Sequence, residues 1–174
     1  MKPLSCFITG TDTEIGKTTV SCAIIRALVK KGLQVAAMKP VAAGAFEFDG
    51  AFHNEDVDAL AEASNMSLPL SLTTPYLLKT PIAPHLSAEL DHVVIDNHHI
   101  VSCYREISHQ ADAVIVEGVG GFCVPFTDCS DSAELAVQLG LPVILVVGMK
   151  LGCINHALLT AEAVRSRGLK VAGW

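Results

Sequence analysis

Gly10-Thr11-Asp12-Thr13-Glu14-Ile15-Gly16-Lys17-Thr18-Thr19 follows an apolar run, Leu4 to Ile8, and opens a helical pattern carried by Val20, Ile24, Ile25 and Leu28. A glycine-containing loop between a strand and a helix, closed by Gly-Lys-Thr, has the parts of a polyphosphate site. The glycines let the chain turn back and bring amide N–H groups close to oxygens. The helix N-terminus adds unpaired donors and partial positive charge. In that reading Lys17 reaches the β- and γ-phosphates of a nucleotide and the Thr18 hydroxyl sits on Mg²⁺. Five residues, rather than four, separate Gly10 from Gly16. The plainer alternative is an ordinary βα turn.

Working outward, Thr18 to Lys31 reads as a helix ended by Gly32, and 33–38 as a second strand. Lys39-Pro40-Val41-Ala42-Ala43-Gly44 follows at that strand's carboxyl end, the edge at which open α/β sheets bind ligands. Lys39 is there either a solvated strand end or a second phosphate ligand. Residues 45–55 read as a loop, and a short helix over about 57–64 carries Glu55, Asp56 and Asp58 at its start. Those acids are helix caps or metal carboxylates. Four prolines between 65 and 92 argue against long regular elements, and Thr80 to His85 reads as a rigid extended segment. His85 and the pair His98-His99 lack metal-ligand spacing.

Asp96 is placed to cap a helix running to about Gln110. Asp112 to Gly118 is then a buried strand that ends in Glu117, the arrangement of a carboxylate that holds Mg²⁺ directly or through water. Gly118-Val119-Gly120-Gly121 implies close backbone approach. A further buried strand, Leu141 to Val147, leads to Lys150, a second cation just past a strand end, and the amides of Gly152 to Asn155 open a helix suited to an anion. The strands at 4–9, 33–38, 113–116, 142–147 and 169–173, with helices between them, predict one α/β domain over 1–174: a doubly wound, mostly parallel sheet of the P-loop NTPase type.

Composition narrows the classes. Half of the 174 residues are apolar (51%) and 17% charged, as a parallel sheet buried on both faces requires. The net charge of −6 leaves no basic stripe for nucleic acid. Six cysteines show no Cys-x-x-Cys spacing and read as reduced, core-filling thiols. The longest apolar run is too short to span a bilayer, so no membrane role and a cytoplasmic location are expected.

Six segments resemble one family, dethiobiotin synthetase: FITGTDTEIGKT (7–18), KPVAAG (39–44), NEDVDAL (54–60), PIAPHLSA (81–88), VEGVGGF (116–122) and PVILVVGMKLGCINHALLT (142–160). The five-residue gap in the loop is that family's own form. The resemblance implies an ATP- and Mg²⁺-dependent ligase. In its reaction 7,8-diaminononanoate takes up CO₂ (or bicarbonate) as a carbamate, ATP phosphorylates the carbamate, and the second amine closes the ureido ring.

By the same resemblance Thr13, Glu14, Ile15, Gly16, Lys17, Thr18, Glu117 and Gly120 meet the nucleotide, and Thr18, Asp56 and Glu117 hold the metal. Lys17, Lys39 and Lys150 are catalytic. Thr11, Lys39, Lys150, Gly152, Cys153, Ile154 and Asn155 meet the substrate, which lies across a homodimer interface. Asp56 is chosen over Asp58 by its spacing to Asn54. Ala43 stands where the family often has serine. A segment beyond Trp174, which reads the adenine, is expected to be missing from this sequence. The alternatives are a ParA/MinD-like switch ATPase, whose early loop lysine is replaced here by Thr11 and Asp12, and a cobyrinate-type amide ligase.

Overall fold

Residues 3–174 are described by a computed structural model. In chain order the elements begin with β1 (Leu4–Gly10), α1 (Lys17–Lys30), β2 (Val35–Met38), β3 (Val41–Ala43), β4 (Phe46–Phe48) and β5 (Ala51–His53). There follow α2 (Glu55–Ala63), α3 (Leu70–Thr73), β6 (Tyr76–Leu78), α4 (Pro84–Leu90) and α5 (Asn97–Ser108). β7 (Ala113–Glu117), α6 (Ser132–Leu139), β8 (Val143–Val146), α7 (Cys153–Ser166) and β9 (Val171–Gly173) complete the chain.

Five strands pair in the order β2-β7-β1-β8-β9, all parallel. Successive side chains of a strand point to opposite faces, so each strand feeds two cores. Phe7, Val114 and Val116 face one, where α5 and α6 supply Ile100, Ile107, Leu135 and Leu139. Ile8, Ala113 and Ile115 face the other, against Cys22 and Ile25 of α1 and Leu60 of α2. Helices on both faces explain why these strands read as unbroken apolar runs. The doubly wound parallel sheet is therefore the observed fold. Among the described residues no helix is long and apolar enough to cross a membrane.

Two stretches differ from the sequence reading. Residues 45–55 hold an antiparallel hairpin, β4 on β5, with Phe48 opposite Ala51. Asp49 (φ 50°) and Gly50 (φ 77°) form its two-residue turn, both in the left-handed region that such hairpins require. The extended segment from Thr80 stops at Pro84, which opens α4 because a proline at a first helical position gives up no hydrogen bond. A small parallel pair, β3 with β6, brings this proline-rich stretch against Ala43 and Gly44.

Candidate functional site

Register builds the site. Ile8 of β1 lies opposite Glu117 of β7, and Met38 of β2 opposite Val116. Lys39, one residue beyond Met38, thus comes alongside Glu117 at the carboxyl edge of the sheet. Its Nζ donates to Glu117 Oε1 at 2.7 Å and to Asp56 Oδ2 at 2.6 Å. Thr18, in the first turn of α1, has its Oγ1 2.7 Å from Asp56 Oδ1 and 2.8 Å from Glu117 Oε1. Glu117 is fully buried, Lys39 and Lys17 nearly so. Glu117 Oε2 has no hydrogen-bond partner among the described residues.

Asp56 reaches this cluster because Asn54 anchors α2. The Asn54 side chain accepts from the Asp56 and Val57 amides and donates through Nδ2 to the Ala43 carbonyl, 3.1 Å away. Two residues along a helix is more than half a turn, so Asp58 points elsewhere. It pairs with His53 Nδ1 at 3.0 Å.

Burial would raise the Asp56 carboxyl, but the charge and hydrogen bond of Lys39, the Thr18 hydroxyl and Lys17 outweigh it and hold the group below the usual range. A carboxyl depressed by folding contributes stability above its unfolded value, about 3.9, and loses it as pH falls through the lower folded value. The stability gap between the native chain and Asp56→Asn is therefore expected to shrink as pH is lowered from about 5 through the acid range. Urea unfolding across that range checks this; a constant gap would mean Asp56 is not charge-coupled.

The phosphate-type loop winds through two left-handed residues, Glu14 (φ 55°) and Gly16 (φ 94°), the kind of alternation that turns backbone amides inward. Holding the non-glycine Glu14 there costs on the order of 1–3 kcal/mol, and such strain concentrates at ligand sites. Lys17 Nζ donates to the Asp12 carbonyl at 2.8 Å. Burial first, and the charge of Lys39 second, push the Lys17 ammonium below the lysine range, while Glu117, Asp56 and Asp12 pull it back.

A cavity of about 840 Å³ opens over this loop. Thr13 to Thr19, Lys39, Asp56 and Gly120 line it, facing Ala43, Gly44 and the Pro81–Pro84 segment across the opening. Lys17, Thr18, Lys39, Asp56 and Glu117 are thus brought together, with Glu117 buried behind Lys39 and Thr18. The glycines after β7 allow close approach, though partly to the protein itself: a Cβ at Gly118 would lie 3.1 Å from the Phe7 ring.

Lys150 was expected among these cations; the structure does not bring it into the cavity. Its Nζ donates to Asp12 Oδ2 at 2.6 Å, with both side chains about half exposed. That bond, and next the Thr13 amide, hold the Asp12 carboxyl below the usual range. The physical reason is local: Lys150 leaves an exposed turn beside the loop, and Asp12 is the anion it meets first. Thr11 likewise turns to this side, its hydroxyl 3.4 Å from the Gly148 amide. Gly152 to Asn155 open α7 away from the cavity lining, with Ile154 and Asn155 exposed.

Sequence reasoning missed two supports of the loop, Asp12 and Gly148. Gly148 packs directly on Ile15: a Cβ there would stand 2.5 Å from Ile15 Cγ2 and 3.1 Å from Ile15 Cβ. Neither atom is the free end of a long side chain, so the loop itself must shift. Overpacking of this kind costs about 1–3 kcal/mol. Gly148→Ala is expected to weaken ADP binding by about tenfold, as calorimetric titration would read. Unchanged affinity would show that Ile15 does not hold the loop.

Residues 5–174 match a protein family described as an AAA domain. The chain belongs to this AAA-domain family. That family includes dethiobiotin synthetase. Solved structures with the same fold include the kinase domain of the Escherichia coli tyrosine kinase ETK (14% identity, 98% of this chain and 66% of that one, TM-score 0.59). The chimerical protein CapA2B2 is another (16% identity, 98% and 74%, TM-score 0.58). So is a ParA family ATPase from Chlorobium tepidum (14% identity, 97% and 70%, TM-score 0.55). This AAA-domain chain thus spans about two thirds to three quarters of those chains and shares with them a P-loop NTPase-type α/β architecture.

Proposed function

We propose that this AAA-domain chain is a nucleotide-dependent ligase of the dethiobiotin synthetase type. It uses ATP and Mg²⁺ to close a ureido ring on 7,8-diaminononanoate and CO₂. The observation that carries the reading is the convergence of Lys17, Thr18, Lys39, Asp56 and Glu117 beside one cavity. Five of the six family-like segments, all but 142–160, supply most of its walls.

In this reading Lys17 and the inward amides of the loop bind the β- and γ-phosphates. Lys39 lines the same cavity and offsets the charge of the transferring phosphoryl group, where positioning and electrostatics carry most of the catalysis. The donor set suits magnesium: a hydroxyl and two carboxylates converge as hard oxygen ligands, and Glu117 keeps an unpartnered buried oxygen. Bound there, Mg²⁺ would screen the phosphate oxygens. The carbamate oxygen is the nucleophile, so no general base is needed.

Lys150 and the α7 N-terminus belong to the diamine end. Ile154, Leu158 and Leu159 are exposed along this helix, Leu151 is exposed in the turn before it, and Val164 is the helix's one buried residue. Such a face supports a homodimer with substrate at the interface.

The test is ADP formation with ATP, Mg²⁺, bicarbonate and the diamine, with and without each component. Turnover that requires the diamine is expected. Turnover indifferent to the diamine, and raised by a protein or membrane partner, would replace this reading with the switch ATPase.

A further inference from the structure

Lys39 occupies the point that a divalent cation would need. Its ammonium lies 2.6 Å from Asp56 Oδ2 and 2.7 Å from Glu117 Oε1, and the other Asp56 oxygen and the same Glu117 oxygen flank the Thr18 hydroxyl. Both Lys39 and Glu117 are buried, 4% and 0% exposed. Asp56 and Glu117 bring two negative charges, and Lys39 and Lys17 two positive ones, so the nucleotide-free cluster is neutral. A divalent ion added to it would leave a buried excess of positive charge, which is costly at low dielectric. A magnesium–nucleoside triphosphate carries net negative charge and gives the displaced ammonium a phosphate to meet. Lys39 already lines the cavity, so its head has room to turn there.

We propose that Lys39 is an internal counter-ion that keeps divalent metal out of the Thr18–Asp56–Glu117 cluster until nucleotide phosphates draw the ammonium away. The proposal rests on the metal role given to these three residues and not on the identity of the carboxylated substrate. It makes Lys39 a gate on cation entry as well as a phosphate ligand. It also couples arrival of the metal to arrival of the nucleotide.

The experiment is Mn²⁺ binding to nucleotide-free protein, followed by electron paramagnetic resonance. Lys39→Met keeps the apolar stem and removes the charge. It is expected to bind one Mn²⁺ at least tenfold more tightly than the native chain. Lys39→Arg, which keeps a cation in place, should stay at the native level. Adding Asp56→Asn to Lys39→Met should abolish the gain, whereas adding Asp58→Asn, an equal charge change outside the cluster, should leave it, which separates a built site from general loss of positive charge.

A native chain that binds Mn²⁺ without nucleotide as tightly as Lys39→Met would overturn the proposal. So would a gain that survives Asp56→Asn. Should Lys39→Met fail to fold, amide signals of the native chain settle the point. Those of Thr18 and Lys39 should resist broadening by Mn²⁺ until nucleotide is added, and broadening beforehand would count against the gate. None of these readouts involves the diamine, so failure of the ligase reading would register separately, in the turnover assay.

Discussion

Lys17→Gln is expected to lower the rate of ADP formation by about 10²–10³-fold, the usual loss when one charge-stabilising donor is removed from a preorganised site. Glutamine retains a donor but is neutral and shorter, so it no longer reaches a terminal phosphate or carries charge to it. The fold should not suffer. Burial already penalises the Lys17 ammonium, and among the described residues its side chain bonds only to the Asp12 carbonyl of the same loop. Single-turnover kinetics and thermal melting on the same preparation check both halves. A near-native rate, or a rate loss that merely tracks a lower Tm, would remove Lys17 from phosphoryl transfer.

Glu117→Ala should have the largest effect on stability. Breaking a buried ion pair by removing one member costs about 3–5 kcal/mol. Here Asp56 remains as a partner for Lys39, which places the expected loss at the lower end, about 3 kcal/mol. For a chain of this size that corresponds to a Tm lower by about 6–12 °C. Glu117→Gln keeps the shape and a hydrogen-bonding oxygen, so its loss should be smaller while its activity is equally poor. Equilibrium urea unfolding of the two variants makes the comparison. A cost below about 1 kcal/mol for the alanine variant would mean that Glu117 is held for chemistry alone.

Much of this arrangement could be read before any coordinates. The run Leu4 to Ile8, the glycine loop and the helix after it are local patterns, and Glu117 ends a strand apolar enough to be buried on both faces. Local pattern left Lys39 either a solvated strand end or a second phosphate ligand, and only the resemblance made it catalytic. What turns it into a site residue is the pairing of β2 with β7, a contact between segments nearly eighty residues apart that no local pattern specifies. Lys150 went the other way. The same local device, a cation after a strand, ends up on Asp12 because side-chain partners depend on which anion the fold brings nearest. The hairpin at 46–53 did carry a signal, Asp49-Gly50 between aromatic residues, but strands of three residues are too short for alternation to stand out.

The pairing of β1 has a consequence for how the protein is made. β1 takes its hydrogen-bonded neighbours from β7 and β8, more than a hundred residues downstream, and from no strand in between. A nascent chain emerging from the ribosome therefore exposes the central strand of the sheet, with Phe7 and Ile8, long before either neighbour has been synthesised. Distant pairings of this kind close late, since the entropy of a long loop is lost before the contacts are gained. The glycine loop that follows β1 has no fixed base until the segment around Val146 is released. Capacity to hold a nucleotide should consequently arise in one late step of biosynthesis, and chaperones that shield apolar segments have their window before it.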